Sequence, residues 1–327
     1  MMYVILTIGF ILLIKGADFF VDGASSIARL LKIPSVIIGL TIVAMGTSAP
    51  EAAVSITAAL NGSNEIAISN VVGSNIFNLL VVAGFCAVMM PLTVEKSLFK
   101  RDFPINILFS FVLLFFVMSG QISRLGGVIL LVCMAVYLFI TIRSAKKGNA
   151  ENSEDTASDF YKFLNKKMNS FIPSPTAAGT ILSILFCAVG LTAIILGGNM
   201  VVNSATDIAR TFGVSDTLIG LTIVAIGTSL PELVTSIVAS RKGENDIAMG
   251  NVIGSNIFNL VFILGISAVL NPITVTANAV GDVGIMTATT ILMMILCLGK
   301  KKHILNRYEG ALCVLAYLAY MAYIIMR

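Results

Sequence analysis

Two glutamates stand inside apolar sequence, and each ends the same short motif. Glu51 ends GTSAPE and Glu232 ends GTSLPE. A charged carboxylate near the centre of a bilayer costs roughly 2.5–3.5 kcal/mol or more, so such groups commonly mark ion or proton pathways. For either glutamate alone, the alternative interpretation is satisfaction by a neighbouring helix or permanent protonation. The repetition of the whole motif favours a functional pair.

The same motifs contain helix breakers and oxygen ligands. Proline removes a backbone donor and clashes with the preceding turn, so Pro50 and Pro231 predict a break in each helix. Backbone carbonyls freed at membrane depth are tolerated where they line a cavity or find other partners. The hydroxyl groups beside the two breaks belong to Thr47, Ser48, Thr228 and Ser229.

A second motif follows each glutamate, NVVGSNIFN at 70–78 and NVIGSNIFN at 251–259. Ser74 and Asn78 are four residues apart, as are Ser255 and Asn259, so each pair shares a helix face. Hydrogen bonds between packed helices explain part of this motif. That packing role suits its remaining asparagines, Asn70, Asn75, Asn251 and Asn256.

Together the motifs offer carboxylate, amide, hydroxyl and carbonyl oxygens. Na⁺ and Ca²⁺ take such hard ligands, and about six to eight oxygens in flexible geometry suit Ca²⁺ in particular. Transition metals would call for His or Cys, but the sole histidine, His303, lies in a basic loop. Two carboxylates neutralise one Ca²⁺ and leave three Na⁺ with one net positive charge. The residues therefore predict a cation transporter.

The motifs lie in a duplicated stretch of an apolar chain. Residues 38–80 recur at 219–261 without a gap, at an offset of 181 residues. The chain is 57% hydrophobic and only 12% charged, with a mean hydropathy of +0.97. Soluble domains have about a quarter charged residues, so this composition predicts a polytopic membrane protein.

Because a spanning helix needs about 20 mostly apolar residues, we predict an all-α polytopic membrane protein with ten transmembrane helices in two inverted five-helix repeats. The predicted helices lie at 3–29, 34–60, 65–91, 103–120, 124–143, 176–209, 215–240, 245–270, 281–299 and 308–326. Lys15 and Asp18 interrupt the first, and no cleavage site is evident, so it is interpreted as a retained helix rather than a signal peptide.

A polar, charge-mixed segment at 144–175, hereafter the linker, divides the chain. The predicted domains are a first half at 1–143, this linker, and a second half at 176–327. The linker has no apolar periodicity and is too short for a separate regulatory domain.

Loop charges orient the halves. All but a few of the 21 Lys and Arg residues fall on one side, hereafter the basic face. The positive-inside rule makes this face cytoplasmic, with the linker on it and both termini outside the cell (inner) membrane. The aligned Arg29 and Arg210 then lie on opposite sides, so the repeats are inverted. Such repeats hold their substrate site near the midplane.

The remaining composition indicates no further partner. The net charge of +4 is explained by the loops, so nucleic acid is not expected, and no protein partner is evident. The expected partners are the lipid bilayer and the transported ions. The five cysteines show no Cys-x-x-Cys or Cys/His spacing and are interpreted as packing residues, so neither a cofactor nor a disulfide frame is expected.

The motifs GTSxPE and GSNxxN, in successive helices and in inverted repetition, resemble the alpha repeats of the sodium/calcium exchangers, in the calcium/cation antiporter superfamily. The resemblance covers nearly the whole chain. The short linker is similar to that of bacterial and archaeal members, which lack the large cytoplasmic calcium-sensing domains of animal exchangers.

The resemblance implies roles for particular residues. Glu51 and Glu232 would be ligands shared by Ca²⁺ and Na⁺, and Thr47 and Thr228 would complete the calcium site. The implied sodium sites are Ala44, Ser48 and Ser74 toward one face, and Ala225, Ser229 and Ser255 toward the other. The implied central polar residues are Asn78 and Asn259. Some prokaryotic exchangers have Asp at the second of these positions, so potassium use and the protonation of the centre stay open.

The implied activity is exchange of Na⁺ for Ca²⁺ by alternating access, with Na⁺ entry driving Ca²⁺ extrusion at three to one and therefore electrogenically. The first and sixth helices would slide against a core of the second, third, seventh and eighth. A proton/calcium antiporter stays open because buried glutamate pairs also carry protons. A passive cation channel would more naturally have parallel repeats. An enzyme is not expected, because Ser/His, Cys/His and metal-hydrolase spacings are missing.

Overall fold

The computed structural model describes residues 2–148, 177–213, 225–298 and 303–326. The first half contains α1 (Met2–Leu30), α2 (Ser35–Thr47), α3 (Ala49–Leu60), α4 (Asn64–Met89), β1 (Leu92–Thr93), α5 (Leu98–Met118), β2 (Gln121–Ile122) and α6 (Arg124–Gly148). The second half contains α7 (Ala177–Thr211), α8 (Ala225–Thr228), α9 (Leu230–Arg241), α10 (Asn245–Leu270), β3 (Ile273–Thr274), α11 (Ala277–Leu296), β4 (Ile304–Leu305) and α12 (Arg307–Met326).

The apolar segments fold as membrane-spanning helices. Within the described ranges, eight helices are long and apolar enough to span a bilayer, and α2 with α3 forms a ninth span bent by 50°. The seventh predicted helix corresponds to α8 and α9, and its residues 214–224 lie outside the described part of the chain. The protein is thus a mostly helical, multi-pass membrane protein, as predicted.

The halves pack as inverted repeats. The last turns of α4 pack against α12, and the equivalent last turns of α10 pack against α6, so each half borrows a helix from the other. The first helices of the two halves, α1 and α7, pack against each other. Their backbones meet at glycines: a Cβ added to Gly190 would lie 2.5 Å from Phe20 N. Small residues permit such close helix contacts where lipid gives no hydrophobic drive to associate.

Two short antiparallel ladders also join the halves. Strand β1 pairs with β4, and β2 pairs with β3. The sequence did not predict these strands, because a two-residue strand is too short to show an alternating apolar pattern.

Some predicted boundaries were wrong by a few residues. Helix α5 begins at Leu98 rather than 103, with a π-helical segment Leu98–Asp102. The charged residues there suggested a loop. Asp102 is nevertheless buried, and it accepts hydrogen bonds from the Arg101 guanidinium at 2.9 Å and from the Tyr137 hydroxyl at 3.2 Å. Helix α6 continues to Gly148, into the segment predicted as the linker, and 149–175 lie outside the described residues.

Candidate functional site

Both predicted helix breaks occur beside the glutamates. The backbone leaves helical geometry at Ser48 (φ −81°, ψ 8°) and at Ser229 (φ −93°, ψ 7°). A proline stands in the first turn of the helix that follows each break, where its missing N–H costs no hydrogen bond. Glu51 and Glu232 therefore lie in the first turns of α3 and α9, at the positively polarised ends of these helices.

Crossed hydrogen bonds bring the two breaks together. Ser48 Oγ donates to Glu232 Oε1 at 2.8 Å, and Ser229 Oγ donates to Glu51 Oε1 at 2.9 Å. Both glutamates are 0% exposed. Each repeat thus supplies the hydroxyl that holds the carboxylate of the other, and the two motifs form one centre.

Further predicted residues surround this centre. The Ser74 hydroxyl lies 3.0 Å from that of Ser229, and Thr47 Oγ1 donates to Asn251 Oδ1 at 3.0 Å. Ser255 Oγ lies 3.4 Å from the carbonyl oxygen of Ala44. Two positions remain: Thr228 ends α8 and is half-buried, whereas Ala225 begins α8 and only its backbone is described.

Four asparagines form a two-fold cluster between α4 and α10. Asn75 Nδ2 donates to the main-chain carbonyl of Asn256, and Asn256 Nδ2 donates to the main-chain carbonyl of Asn75, both at 3.2 Å. Asn78 Nδ2 donates to Asn256 Oδ1 at 3.2 Å, and Asn259 Nδ2 donates to Asn75 Oδ1 at 3.0 Å. Asn75 and Asn256 therefore pack the helices as predicted, and they fix the orientation of the Asn78 and Asn259 amides.

Each of these two helices is locally widened at its central asparagine. Asn78 begins the π-helical segment Asn78–Val82, and Asn259 lies second in the segment Phe258–Ile263. Single π-helical turns inside α-helices are frequent at functional sites, where they change the direction of side chains. Sequence reasoning missed this feature, since no residue preference marks a π-turn.

Four oxygens of the centre are buried and have no hydrogen-bond donor among the described residues. They are Glu51 Oε2, Glu232 Oε2, Asn78 Oδ1 and Asn259 Oδ1. A buried polar atom without a partner costs free energy, so each one calls for an explanation. An amide oxygen and an ionised carboxylate oxygen are acceptors only, so the missing partner is a cation or a donor hydrogen.

Asn70 and Asn251 support the carboxylates from behind. Asn70 Nδ2 donates to Ser55 Oγ at 2.8 Å and to the Glu51 carbonyl at 3.2 Å. Asn251 repeats this pattern with Ser236 Oγ at 3.0 Å and the Glu232 carbonyl at 3.4 Å. The packing role predicted for these asparagines is confirmed. Sequence reasoning missed the two serines, although each stands four residues after its glutamate and is identical in both copies.

The atoms that this centre offers as ligands to a cation are all oxygens. Among the described residues no three His, Cys, Asp or Glu side chains cluster as metal ligands, so the two carboxylates act with neutral hydroxyl and amide oxygens. Inverted repeats around a buried centre rich in acceptors define a multi-pass membrane transporter of cations.

Comparisons with known proteins agree with this class. Residues 1–143 and 182–326 match the family described as sodium/calcium exchanger protein. The chain is 42% identical to CaxA of Alkalimonas amylolytica, over 96% of this chain and 95% of that protein. It is 34% identical to the sodium/calcium exchanger MaX1 of Methanosarcina acetivorans, over 98% and 97% of the two chains.

A solved structure of the sodium-calcium exchanger NCX_Mj, soaked with Na⁺ and Ca²⁺, superposes with a TM-score of 0.81 at 27% identity, covering 98% of this chain and 97% of the other. The chain belongs to the sodium/calcium exchanger protein family, as the motifs predicted. It is a cation antiporter of that family.

Proposed function

We propose that this antiporter exchanges Na⁺ for Ca²⁺ by alternating access, and that the two ions compete for Glu51 and Glu232. The observation that carries the proposal is the set of four buried acceptor oxygens without donors, two from each repeat. Cations bound at this centre would supply the partners that these oxygens lack. MaX1 and NCX_Mj are both named as sodium/calcium exchangers, which supports the choice of ions.

The proposed ligands divide by ion. Ca²⁺ binds the two carboxylates together with Thr47 and Thr228. The sodium sites use Ala44, Ser48 and Ser74 on one side, and Ala225, Ser229 and Ser255 on the other, with Asn78 and Asn259 as the polar centre. The crossed serine–carboxylate bonds support this division, because both serines would belong at once to a sodium site and to the shared carboxylates.

Charge supports an electrogenic cycle. One Ca²⁺ neutralises the two carboxylates, whereas three Na⁺ leave one net positive charge, so a three-to-one exchange moves charge across the membrane. We propose that Na⁺ entry drives Ca²⁺ out of the cell. The halves 1–143 and 176–327 would act as the paired units, with the linker cytoplasmic and both termini outside the inner membrane. The bias of Lys and Arg toward the basic face supports this orientation.

Calcium uptake into sodium-loaded proteoliposomes tests the proposal. Glu51→Gln and Glu232→Gln keep the size of the side chain and remove its charge, so each should lower uptake roughly 10- to 100-fold, the effect of losing one bond to a charged group. The matched control is Glu65→Gln, which changes a glutamate at the start of α4 that accepts a hydrogen bond from Thr276. Full uptake by both site variants would refute the site.

The counter-ion needs its own measurement. A proton on an unpartnered carboxylate oxygen would satisfy it as a cation does, so a proton/calcium antiporter could use the same centre. Calcium uptake driven by a pH jump without sodium would replace our proposal with that activity. Uptake without any counter-ion would indicate a channel. Dependence of sodium-driven uptake on an imposed membrane potential would support the three-to-one ratio.

A further inference from the structure

One lysine joins α1 to the loop between the two site-bearing helices α9 and α10. Lys242 Nζ lies 2.7 Å from Asp22 Oδ1 and 3.4 Å from Asp18 Oδ1, and it donates to the Asp18 carbonyl at 2.9 Å. Gly243 turns the loop with a φ of +81°, a conformation that glycine adopts without strain. A second ion pair lies beside it, Arg29 with Glu244 at 3.6 Å.

These contacts have no charged equivalent on the opposite face. At the offset of 181 residues, Lys242 aligns with Asn61 and Glu244 with Ser63. The acidic partners on α1 align with Asn199 and Asn203 on α7. The aligned positions carry no formal charge, so they cannot form the same ion pairs. Among the described residues, the contact of Lys242 with Asp18 and Asp22 is therefore a feature of the basic face that the aligned positions cannot reproduce.

We propose that Lys242, Asp18 and Asp22 form a latch that holds α1 against α9 and α10 and favours the conformation closed on the basic face. The proposal rests on the alternating-access function above, in which α1 moves against the site-bearing helices. All three side chains are partly exposed, at 29%, 35% and 59%. Partly exposed pairs are weak, so the latch changes the populations of the two conformations without preventing their exchange.

Transport measured from each face tests the latch. Right-side-out and inside-out vesicles give the apparent Ca²⁺ affinity at each face, which scales with the population open to that face. Lys242→Ala and Asp22→Asn should each shift the ratio of the two affinities about 2- to 5-fold toward the basic face. The double variant should shift it no further than Lys242→Ala alone. Equal shifts that simply add would contradict a shared contact.

The matched control is Lys15→Ala. Lys15 also pairs with Asp18, at 3.8 Å, but both residues lie on α1, so the pair does not reach the other repeat. The control should leave the affinity ratio unchanged. If Lys242→Ala behaves like Lys15→Ala, the latch is refuted while the exchange function stands.

A second measurement separates the latch from the exchange function. Hydrogen–deuterium exchange of the purified protein needs no transport, and Lys242→Ala should increase deuterium uptake in the second half of α1 relative to Lys15→Ala. An absence of that increase would overturn the latch. A wild-type chain without sodium-dependent calcium uptake would instead overturn the proposed function.

Discussion

The two repeats carry nearly the same motifs but pack them differently on the two sides of the site. On the basic face α2 crosses α10 in backbone contact: a Cβ added to Gly254 would lie 2.7 Å from Leu40 Cα. The aligned glycine of the first repeat is Gly73, and the residue aligned with Leu40, at position 221, lies outside the described residues. The described hydroxyl residues differ in burial, since Thr47 is fully buried and its counterpart Thr228 is half-buried.

The asparagines behind the carboxylates differ in the same way, since Asn251 is fully buried and Asn70 is half-buried. We infer that the described side chains pack more closely on the basic side of the site than on the other side. An alternating-access transporter needs such asymmetry, because symmetric motifs packed identically would leave both sides equally open or equally closed.

The largest effect is expected from adding a methyl group at the two aligned glycines. Gly254→Ala would bring Cβ within 2.8 Å of Leu40 backbone atoms and Ala44 Cβ, so the helices must separate. Overpacking of this kind costs about 1–3 kcal/mol, and we expect lower thermal stability and slower calcium exchange. Gly73→Ala is the matched change in the first repeat, and the helix propensities of alanine and glycine alone predict that it stabilises its helix by about 0.5–1 kcal/mol. Thermal unfolding in detergent compares them, and equal effects would refute the packing difference.

A smaller difference is expected at the asparagines behind the carboxylates. Asn251 is fully buried and bonds Thr47 Oγ1, Ser236 Oγ and the Glu232 carbonyl. Its replacement by Ala should cost about 2–4 kcal/mol, since a buried group left without its partner costs about 1–3 kcal/mol.

Asn70 is the matched position on the other side. It is half-buried and bonds Ser55 and the Glu51 carbonyl, so Asn70→Ala should cost less, about 1–2 kcal/mol. Denaturant unfolding of the two variants measures the difference. A larger loss for Asn70→Ala would show that the two sides are not packed as described.

Local sequence predicted the features that depend on composition and on single residues. The spans followed from apolar length, the breaks from Pro50 and Pro231, and the inversion from loop charge. Other features depend on contacts between distant residues. The bond from Ser48 to Glu232 joins residues 184 apart in the chain, and the buried start of α5 depends on Tyr137.

The asymmetry itself could not be predicted from the motifs. Asn70 and Asn251 begin the nearly identical sequences NVVGSNIFN and NVIGSNIFN, yet Asn251 is fully buried and Asn70 is half-buried. The motif determines which side chains can line the site. How closely a neighbouring helix packs against the motif depends on the conformation of the whole protein. The two copies of the motif are nearly identical, so they do not determine that difference.

The smallest effect is expected when the latch is built on the opposite face. This change also uses the comparison of the two sides most directly. Asn61→Lys combined with Asn203→Asp places a lysine and an aspartate at the positions aligned with Lys242 and Asp22. Because the repeats are inverted, the new pair should join α7 to the loop between α3 and α4, and favour closure on the opposite face. We expect the ratio of Ca²⁺ affinities to shift about 2- to 5-fold toward the basic face, with Asn61→Lys alone as the control. A shift in the other direction would mean that these contacts do not govern which side opens.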